Sequence, residues 1–289
     1  MSRRARASAA TLLLGVAAGC AKMQAPPGGP PDPKPPELVR IVPETGSVNV
    51  RPPRVVFQFD ETIQQQLQGA ASLNRMFLIS PADGEPRVDW DRSTLTVRPR
   101  RGFRPNTVYV ITMLPGISDI RGNARKDGAT AIFSTGPTIP NTTLAGIVFD
   151  WPAGRPAVRP YVEAIGLPDS TVYVTIGDSV GGFAIRHLPP GRYAVRGTID
   201  QNNNRARDAR ELYDSLDVAL GDSARLELLA FVHDTIGPRI NEVAIRDSLT
   251  LRVQLDKPLD PAAPLGPELF SLRAADSSVV PIAAALTPR

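Results

Sequence analysis

The sequence predicts an all-β protein, built as tandem β-sandwiches that follow an N-terminal leader and a proline-rich tether. Short segments carry apolar residues at alternate positions, as where Val55, Phe57 and Phe59 alternate with Val56 and Gln58. Proline, glycine, asparagine and aspartate separate these segments, and helical periodicity is almost absent. Regularly spaced short strands of this kind are typical of β-sandwiches.

The leader comprises residues 1–19 and has the composition of a secretory signal peptide. Arg3, Arg4 and Arg6 precede an uncharged run from Ala7 to Gly19. This run is too short to cross a bilayer core of roughly 30 Å as a helix. A signal peptide is removed after export, so these residues are excluded from the fold.

The single cysteine of the chain, Cys20, directly follows the small residues Ala17, Ala18 and Gly19. This arrangement resembles the lipobox of bacterial lipoproteins, although Ala17 stands where the family usually has leucine. The resemblance implies that Cys20 becomes the N-terminus and carries a diacylglycerol and an acyl chain such as palmitate, a stable two-signal membrane anchor. The alternative is an ordinary signal peptide with an incidental cysteine. Ala21 in place of aspartate implies the outer membrane, facing the periplasm or the surface.

The net charge of +4 does not indicate a nucleic-acid partner. Removal of the three leader arginines leaves about +1, so no basic tail remains. Residues 20–37 form the predicted tether, because the stretch from Ala25 to Pro36 is rich in proline and glycine. Such a composition favours extended polyproline conformation and acts as a semi-rigid spacer.

Residues 38–137 form the first predicted sandwich, which has the usual size of about 100 residues. Its strands are predicted at Leu38 to Val42, Arg54 to Phe59, Met76 to Ile79, Thr94 to Val97, Thr107 to Met113 and Ala131 to Phe133. The glutamine- and alanine-rich segment Ile63 to Asn74 predicts a short helical excursion.

Four motifs of this stretch occur in the order of a known domain family. They are Leu38-Val39-Arg40-Ile41-Val42-Pro43 with Gly46, Val56-Phe57-Gln58-Phe59-Asp60-Glu61, Ser93-Thr94-Leu95-Thr96-Val97-Arg98-Pro99 with Pro105-Asn106-Thr107-Val108-Tyr109, and Ser118-Asp119-Ile120-Arg121-Gly122-Asn123 ahead of Phe133-Ser134-Thr135-Gly136. This order resembles the bacterial Ig-like domain of the SbsA type. With the lipobox and the tether, it resembles envelope lipoproteins that carry such domains.

Residues 142–233 form the second predicted sandwich. Its strands are predicted at Leu144 to Phe149, Val162 to Ile165, Thr171 to Ile176, Gly182 to Ile185, Arg192 to Ile199 and Arg225 to Val232. The pair of motifs Gly181-Gly182-Phe183-Ala184-Ile185 and Leu188-Pro189-Pro190-Gly191-Arg192-Tyr193 resembles carboxypeptidase-regulatory-like, transthyretin-related sandwiches. The Pro-Pro-Gly turn is expected to reverse the chain and to place Phe183 and Tyr193 on paired strands.

Residues 236–289 are predicted to begin a second SbsA-type domain without completing it. Val253-Gln254-Leu255-Asp256 echoes Phe57-Gln58-Phe59-Asp60, and Phe270 to Asp276 echoes Phe77 to Asp83. This internal repeat has no counterpart of Thr94 to Gly136. Because half a sandwich exposes strand edges, we expect the sequence to be a fragment of a longer protein. An enzyme in the missing part is one of the possibilities.

The acidic and amide-rich stretch Asp200 to Glu211 is the best candidate for a metal site. Counting Asp200 as position one, oxygen donors fall at the spacing of an EF-hand calcium loop, namely at Asp200, Asn202, Asn204, the Ala206 carbonyl, Asp208 and Glu211. Arg205 departs from that pattern, because position six is usually glycine. The alternative is a solvated polar hairpin whose side chains cap its own backbone.

Catalytic residues are scarce, so no enzymatic activity is predicted. The chain has two histidines, His187 and His233, and the Gly-Asp-Ser sequences at 177–179 and 221–223 lack the following helix of a nucleophile elbow. The sequence therefore predicts a non-catalytic envelope lipoprotein that acts as scaffold, spacer or adhesive module, with an envelope protein or glycan as partner. The alternative is a polysaccharide- or peptide-binding accessory protein, for which Trp151 is the first candidate contact.

Overall fold

The computed structural model describes residues 32–66, 72–167, 169–234 and 236–287. The leader, Cys20 and the tether up to residue 31 lie outside the described residues. The described residues fall into two units, with the boundary between Lys34 and Pro35. In the first unit, the backbone N–H of Lys34 donates to Oδ1 of Asp32 at 3.2 Å.

The first sandwich consists of two antiparallel sheets, of order β1-β2-β5-β4 and β3-β6-β7. The strands are β1 (Leu38–Val42), β2 (Val55–Phe59), β3 (Phe77–Ser80), β4 (Arg87–Asp91), β5 (Thr94–Arg98), β6 (Val108–Met113) and β7 (Ala129–Ser134). Phe57 of β2 and Phe77 of β3 meet between the sheets, with ring centroids 5.1 Å apart. Both rings are fully buried, and for Phe57 this follows from the alternating sequence of β2.

Two parts of this sandwich differ from the expectation. Strand β4 was not predicted, because its sequence is largely polar and only Val88 and Trp90 are half-buried. It is held by its pairing with β5 and by the indole N–H of Trp90, which donates to the carbonyl of Ile63 at 2.8 Å. The expected helical excursion is reduced to a 3₁₀ turn, Leu73–Met76, and residues 67–71 lie outside the described part.

The second sandwich also has two sheets. One has the order β11-β10-β13-β14, and the other has the order β12-β8-β15 with β9 beside β8. The strands are β8 (Thr143–Asp150), β9 (Arg155–Pro156), β10 (Tyr161–Leu167), β11 (Val172–Ile176), β12 (Gly182–Arg186), β13 (Gly191–Thr198), β14 (Tyr213–Leu220) and β15 (Ser223–Ala230). Strand β14 was not predicted, because its outer residues are polar.

The expectation that Phe183 and Tyr193 lie on paired strands is wrong. Phe183 is on β12, which pairs with β8, whereas Tyr193 is on β13 in the opposite sheet. The link between them crosses from one sheet to the other because Leu188 is fully buried in the core between them. The hydroxyl of Tyr193 then donates to the carbonyl of Pro189 at 2.5 Å and fixes the corner.

Residues 236–287 form two small two-stranded sheets and contain no buried residue among those described. Their elements are β16 (Ile240–Ile245), β17 (Leu251–Leu255), a 3₁₀ turn at Pro267–Leu269, β18 (Leu272–Arg273) and β19 (Val279–Val280). The hairpin β16–β17 repeats a detail of β1–β2. Oδ1 of Asp256 accepts the N–H of Arg239 at 2.7 Å, and Oδ1 of Asp60 accepts that of Glu37 at 2.7 Å.

Candidate functional site

The candidate metal residues lie together in the loop that joins β13 to β14. These strands pair along their whole length, from Gly191 opposite Leu220 to Thr198 opposite Tyr213. The loop, Asp200 to Glu211, is therefore the tip of a long β-hairpin. Its backbone turns at Asn203 and at Arg205, which have positive φ angles of 56° and 58°.

The carboxylates at the two ends of the loop hold its backbone. Oδ1 of Asp200 accepts the N–H of Asn204 at 3.0 Å, and Oδ2 accepts that of Arg205 at 2.8 Å. Oε1 of Glu211 accepts the N–H of Gln201 at 3.0 Å, and Oε2 accepts that of Asp208 at 3.0 Å. Glu211 is buried, and these bonds satisfy its carboxylate.

The central side chains of the loop bind one another. Oδ2 of Asp208 accepts hydrogen bonds from the side-chain amides of Asn202 at 2.7 Å and Asn204 at 3.0 Å. Oδ1 of Asn204 accepts the N–H of Ala206 at 2.8 Å. Within the described residues, no three His, Cys, Asp or Glu side chains are grouped to hold a metal ion. The geometry is that of a self-capped polar hairpin, and calcium binding stays a prediction.

Arg205 turns away from the loop and reaches the first sandwich. Its Nη1 donates to the backbone carbonyl of Phe77 at 2.6 Å, and its Nη2 donates to the carbonyl of Arg75. In return, Nη1 of Arg75 donates to the carbonyl of Asn203 at 3.1 Å. Burial lowers the pKa of Arg205 from its ordinary value. The residue at position six of the loop thus serves as a contact between sandwiches.

The same joint brings together an edge strand of each sandwich. The N–H of Ala82, just after β3, donates to the carbonyl of Val172 on β11 at 2.7 Å. The N–H of Val174 donates to Oγ of Ser80 at 3.1 Å. A small apolar cluster, Leu78, Tyr161 and Val174, lies beneath these bonds. The two edges therefore cover each other, which removes two free strand edges from the surface.

A cleft of about 480 Å³ opens beside the joint, lined by both sandwiches and by the loop. Glu163 and Arg205 are among its lining residues, and Oε2 of Glu163 lies 3.5 Å from Nη1 of Arg196. Burial raises the pKa of the Glu163 carboxyl group, against the opposing effect of the Arg196 charge. Burial also raises the pKa of Tyr161 well above its ordinary value.

The candidate ligand contact Trp151 lies in the turn after β8 and is half-buried. Its indole N–H donates to the carbonyl of Leu259 in the C-terminal segment at 3.1 Å. The indole N–H of Trp151 is therefore engaged within the chain. The role of Trp151 in ligand binding stays a prediction.

The two histidines make structural contacts. Nδ1 of His187 lies 2.7 Å from the carbonyl oxygen of Pro140. The ring of His233 stacks on Tyr213 at a centroid distance of 3.9 Å and lies 4.1 Å from Phe231. The described part of the chain has no helix that is both long enough and apolar enough to span a membrane.

Residues 32–135 match the family model of the bacterial Ig-like domain. The match contains all seven strands of the first sandwich and about a third of the chain. Comparison of the whole sequence with functionally characterised proteins gives no match. The first sandwich is hereafter called the Ig-like domain.

Several solved structures are similar to this chain at low sequence identity and low TM-score. An L,D-transpeptidase from Mycobacterium smegmatis has 15% identity and a TM-score of 0.26, with 65% of this chain and 75% of that chain covered. The N-terminal part of the bacterial S-layer protein SbsC has 15% identity and a TM-score of 0.26, with 65% and 44% covered. The major pilin BcpA of Bacillus cereus has 8% identity and a TM-score of 0.24, with 64% and 66% covered. Such similarities carry no functional argument.

Sequence reasoning missed the joint between the Ig-like domain and the second sandwich. It treated Arg205 only as an unfavourable replacement for glycine in a calcium loop. The available signal was an arginine at position six of the loop, where glycine is usual. A left-handed backbone conformation is costly for a residue other than glycine, so a compensating contact of the side chain is expected. Arg205 adopts this conformation, and its side chain contacts Phe77 in the other sandwich.

Proposed function

We propose that this chain is a non-catalytic outer-membrane lipoprotein, anchored through Cys20, whose β-sandwiches form a spacer or scaffold of the cell envelope. Within this proposal the Ig-like domain is of the SbsA type, and the second sandwich is of the carboxypeptidase-regulatory-like type. The lipobox resemblance at residues 17–20 supports the anchor, and the proline-rich tether supports a folded part held away from the lipid.

The joint between the two sandwiches is the observation that carries the spacer role. A flexible string of domains would leave its strand edges and linkers free. Here, the backbone bond from Ala82 to Val172 and the side chain of Arg205 fix one sandwich against the other. Fixed geometry is what a spacer requires, because it sets the distance between the anchor and the distal end.

The anchor is tested by labelling cells with a palmitate analogue and by fractionating their membranes. The wild-type chain is expected to carry the label and to sediment with outer membranes. Cys20→Ser should lose the label and appear in the soluble fraction, whereas Ala21→Ser, which keeps the cysteine, should behave as wild type. An unlabelled wild-type chain, or a Cys20→Ser variant that stays in the outer membrane, would contradict the anchor.

The accessory-binding alternative is favoured by one feature, the cleft beside the joint. The cleft is of the size of a small-ligand site, and Arg75, Glu163 and Arg205 supply charge in its lining. A glycan array and a peptide library are to be screened with the Cys20→Ser chain. A specific ligand lost in Glu163→Gln or in Trp151→Ala would establish the accessory function over the spacer. Binding by neither library is the expected result for a spacer.

A further inference from the structure

The first and last strands of the second sandwich lie side by side and run parallel. Strands β8 and β15 pair over eight residues, from Thr143 opposite Ser223 to Asp150 opposite Ala230. The ladder extends by one bond at each end. The N–H of Thr143 donates to the carbonyl of Asp222 at 3.0 Å, and the N–H of Trp151 donates to that of Ala230 at 3.0 Å.

The Ig-like domain has a shorter parallel contact between its N-terminal part and its last strand. Residues 46–50 run beside β7, and Ser47 forms a parallel bridge with Phe133. Four backbone hydrogen bonds hold this contact, namely Gly46 N–H to Ile132 O at 2.7 Å, Ser134 N–H to Ser47 O at 2.8 Å, Val50 N–H to Ser134 O at 3.2 Å and Asn49 N–H to Gly136 O at 2.8 Å.

This arrangement decides how the domain responds to tension along the chain. The chain enters β8 at Thr143 and leaves β15 at Ala230, which lie at opposite ends of the paired strands. Tension between these points pulls the two strands past each other in opposite directions. All bonds of the parallel ladder, which are evenly spaced, are then loaded together. A pair of strands pulled apart from the same end would instead lose its bonds one at a time.

We propose that both sandwiches are built to bear tension between the membrane-proximal end of the chain and its C-terminal end. The parallel pairs, β8 with β15 and the segment 46–50 with β7, form a shear clamp in each sandwich. The physiological load rests on the proposed membrane anchor, but the mechanical property belongs to the folded chain alone. Failure of the lipid-labelling test would therefore leave the clamp standing, and failure of the clamp would leave the anchor standing.

The test is single-molecule force spectroscopy in two pulling directions on the full chain. Cys20 is the sole cysteine, so Cys20→Ser provides a background in which introduced cysteines are unique handles. The pair Asn141→Cys and Val232→Cys pulls opposite ends of the clamp in shear. The matched pair Asn141→Cys and Gly221→Cys pulls the same end and opens the ladder bond by bond. All three sites are exposed, and a Cβ at Gly221 meets no atom within 4 Å.

The shear pair is expected to unfold at a severalfold higher force than the matched pair at the same loading rate. The event is identified by a gain in length of up to roughly 300 Å, at 3.3–3.6 Å per released residue. Forced unfolding reports the barrier along the pulled direction, so equal thermal melting of the two variants shows that stability is not the cause. Equal forces in both directions would overturn the proposal.

A second pair of variants makes the same test in the Ig-like domain. This pair tests the proposal independently if an introduced cysteine destabilises the second sandwich. Glu44→Cys with Pro137→Cys loads residues 46–50 and β7 in shear. Glu44→Cys with Asp127→Cys pulls the start of both segments from the same end. All three positions are exposed. The shear pair should again require the severalfold higher force, and the reverse order would overturn the clamp in this domain.

Discussion

Arg205 of the second sandwich donates a hydrogen bond from Nη1 to the backbone carbonyl of Phe77 in the Ig-like domain, at 2.6 Å. The carbonyl belongs to the first residue of β3, whose side chain fills the core of that domain. The tip of the loop is thereby fixed to β3, an edge strand of the neighbouring sandwich. Arg205 has a φ angle of 58°, a conformation that costs about 1–3 kcal/mol for such residues. Its contacts across the joint offset that cost.

Replacement of Arg205 by alanine is expected to loosen the joint. The variant loses two hydrogen bonds from a charged donor and should lower the free energy of unfolding by about 1–3 kcal/mol. Hydrogen exchange of the Ala82 and Val174 amides, which bridge the two edge strands, should become faster. Urea denaturation measures the free energy of unfolding, and hydrogen-exchange mass spectrometry measures the exchange rates of the two amides.

Arg210→Ala is the matched control, because Arg210 lies in the same loop and is exposed. This variant should leave the unfolding free energy and both amides unchanged. Equal exchange rates at Ala82 in the two variants would show that Arg205 does not hold the joint.

The strands of this protein could be predicted where one face is apolar, and they were missed where burial depends on distant parts of the chain. Alternation alone identifies β2 and β13. Strand β4 is held by its pairing with β5 and by the indole hydrogen bond of Trp90. The local sequence does not reveal these two contacts. Sheet membership also escaped prediction, since Phe183 and Tyr193 flank a turn that crosses between sheets. Pairing partners are set by tertiary packing and not by the turn residues.

The residues from Asp200 to Glu211 were predicted to form either a calcium loop or a self-capped polar hairpin, and calcium binding stays a prediction. Spacing shows that Asp200 and Glu211 are separated by the length of a calcium loop. Spacing does not show that the two carboxylates already accept four backbone N–H groups of the loop. Hydrogen bonding within the hairpin and cation binding use the same carboxylate oxygens. The sequence does not show which of the two occupies them, whereas the structure shows the hydrogen bonds.

Calcium is expected to bind this loop weakly, with a Kd of about 10⁻⁴–10⁻³ M, the range of extracellular modules. The positive charges of Arg205 and Arg207 would repel a calcium ion, but both side chains are engaged elsewhere. Arg205 extends to Phe77, and the guanidinium group of Arg207 lies over the ring of Tyr213 at 4.7 Å. Calorimetric titration should show binding heat, and calcium should raise Tm by mass action.

Asp200→Asn should abolish this heat, since it removes a charge from position one of the loop. Asp222→Asn, an equal charge change in the turn between β14 and β15, should leave it intact. If millimolar calcium produces no binding heat and no shift in Tm, the loop is a polar hairpin without a calcium site.

Asp119 is expected to make the Ig-like domain sensitive to acid. Its side chain is fully buried, and Oδ1 accepts the N–H groups of Arg121 at 2.9 Å and Asn123 at 2.8 Å. Burial alone would raise the pKa of the carboxyl group, but the hydrogen bonds from Asn123 and Arg121 outweigh it and lower the pKa below its usual value.

A lowered pKa in the folded state means that the carboxylate stabilises the fold above its unfolded pKa of about 3.9, and that this stability is lost as pH falls through the folded pKa. Asp119→Asn should cost about 1–3 kcal/mol at pH 7, because an amide cannot accept all these bonds. The difference between the two proteins should shrink as pH is lowered from about 5 toward 3. Urea denaturation across this range measures it, and a constant difference would contradict the role of the charge.

Gly146 of β8 is expected to tolerate no larger residue. A Cβ at this position would contact the carbonyl oxygen of Leu226 on β15 and would lie 2.8 Å from two ring atoms of Phe183 on β12. Alanine would therefore press on both neighbours of β8 within one sheet, and such overpacking typically costs about 1–3 kcal/mol. Thermal or urea denaturation should show a loss of this size for Gly146→Ala. Gly221→Ala, where the added Cβ meets open space, should be close to neutral. Equal stability of the two variants would mean that β12, β8 and β15 are not packed in this order.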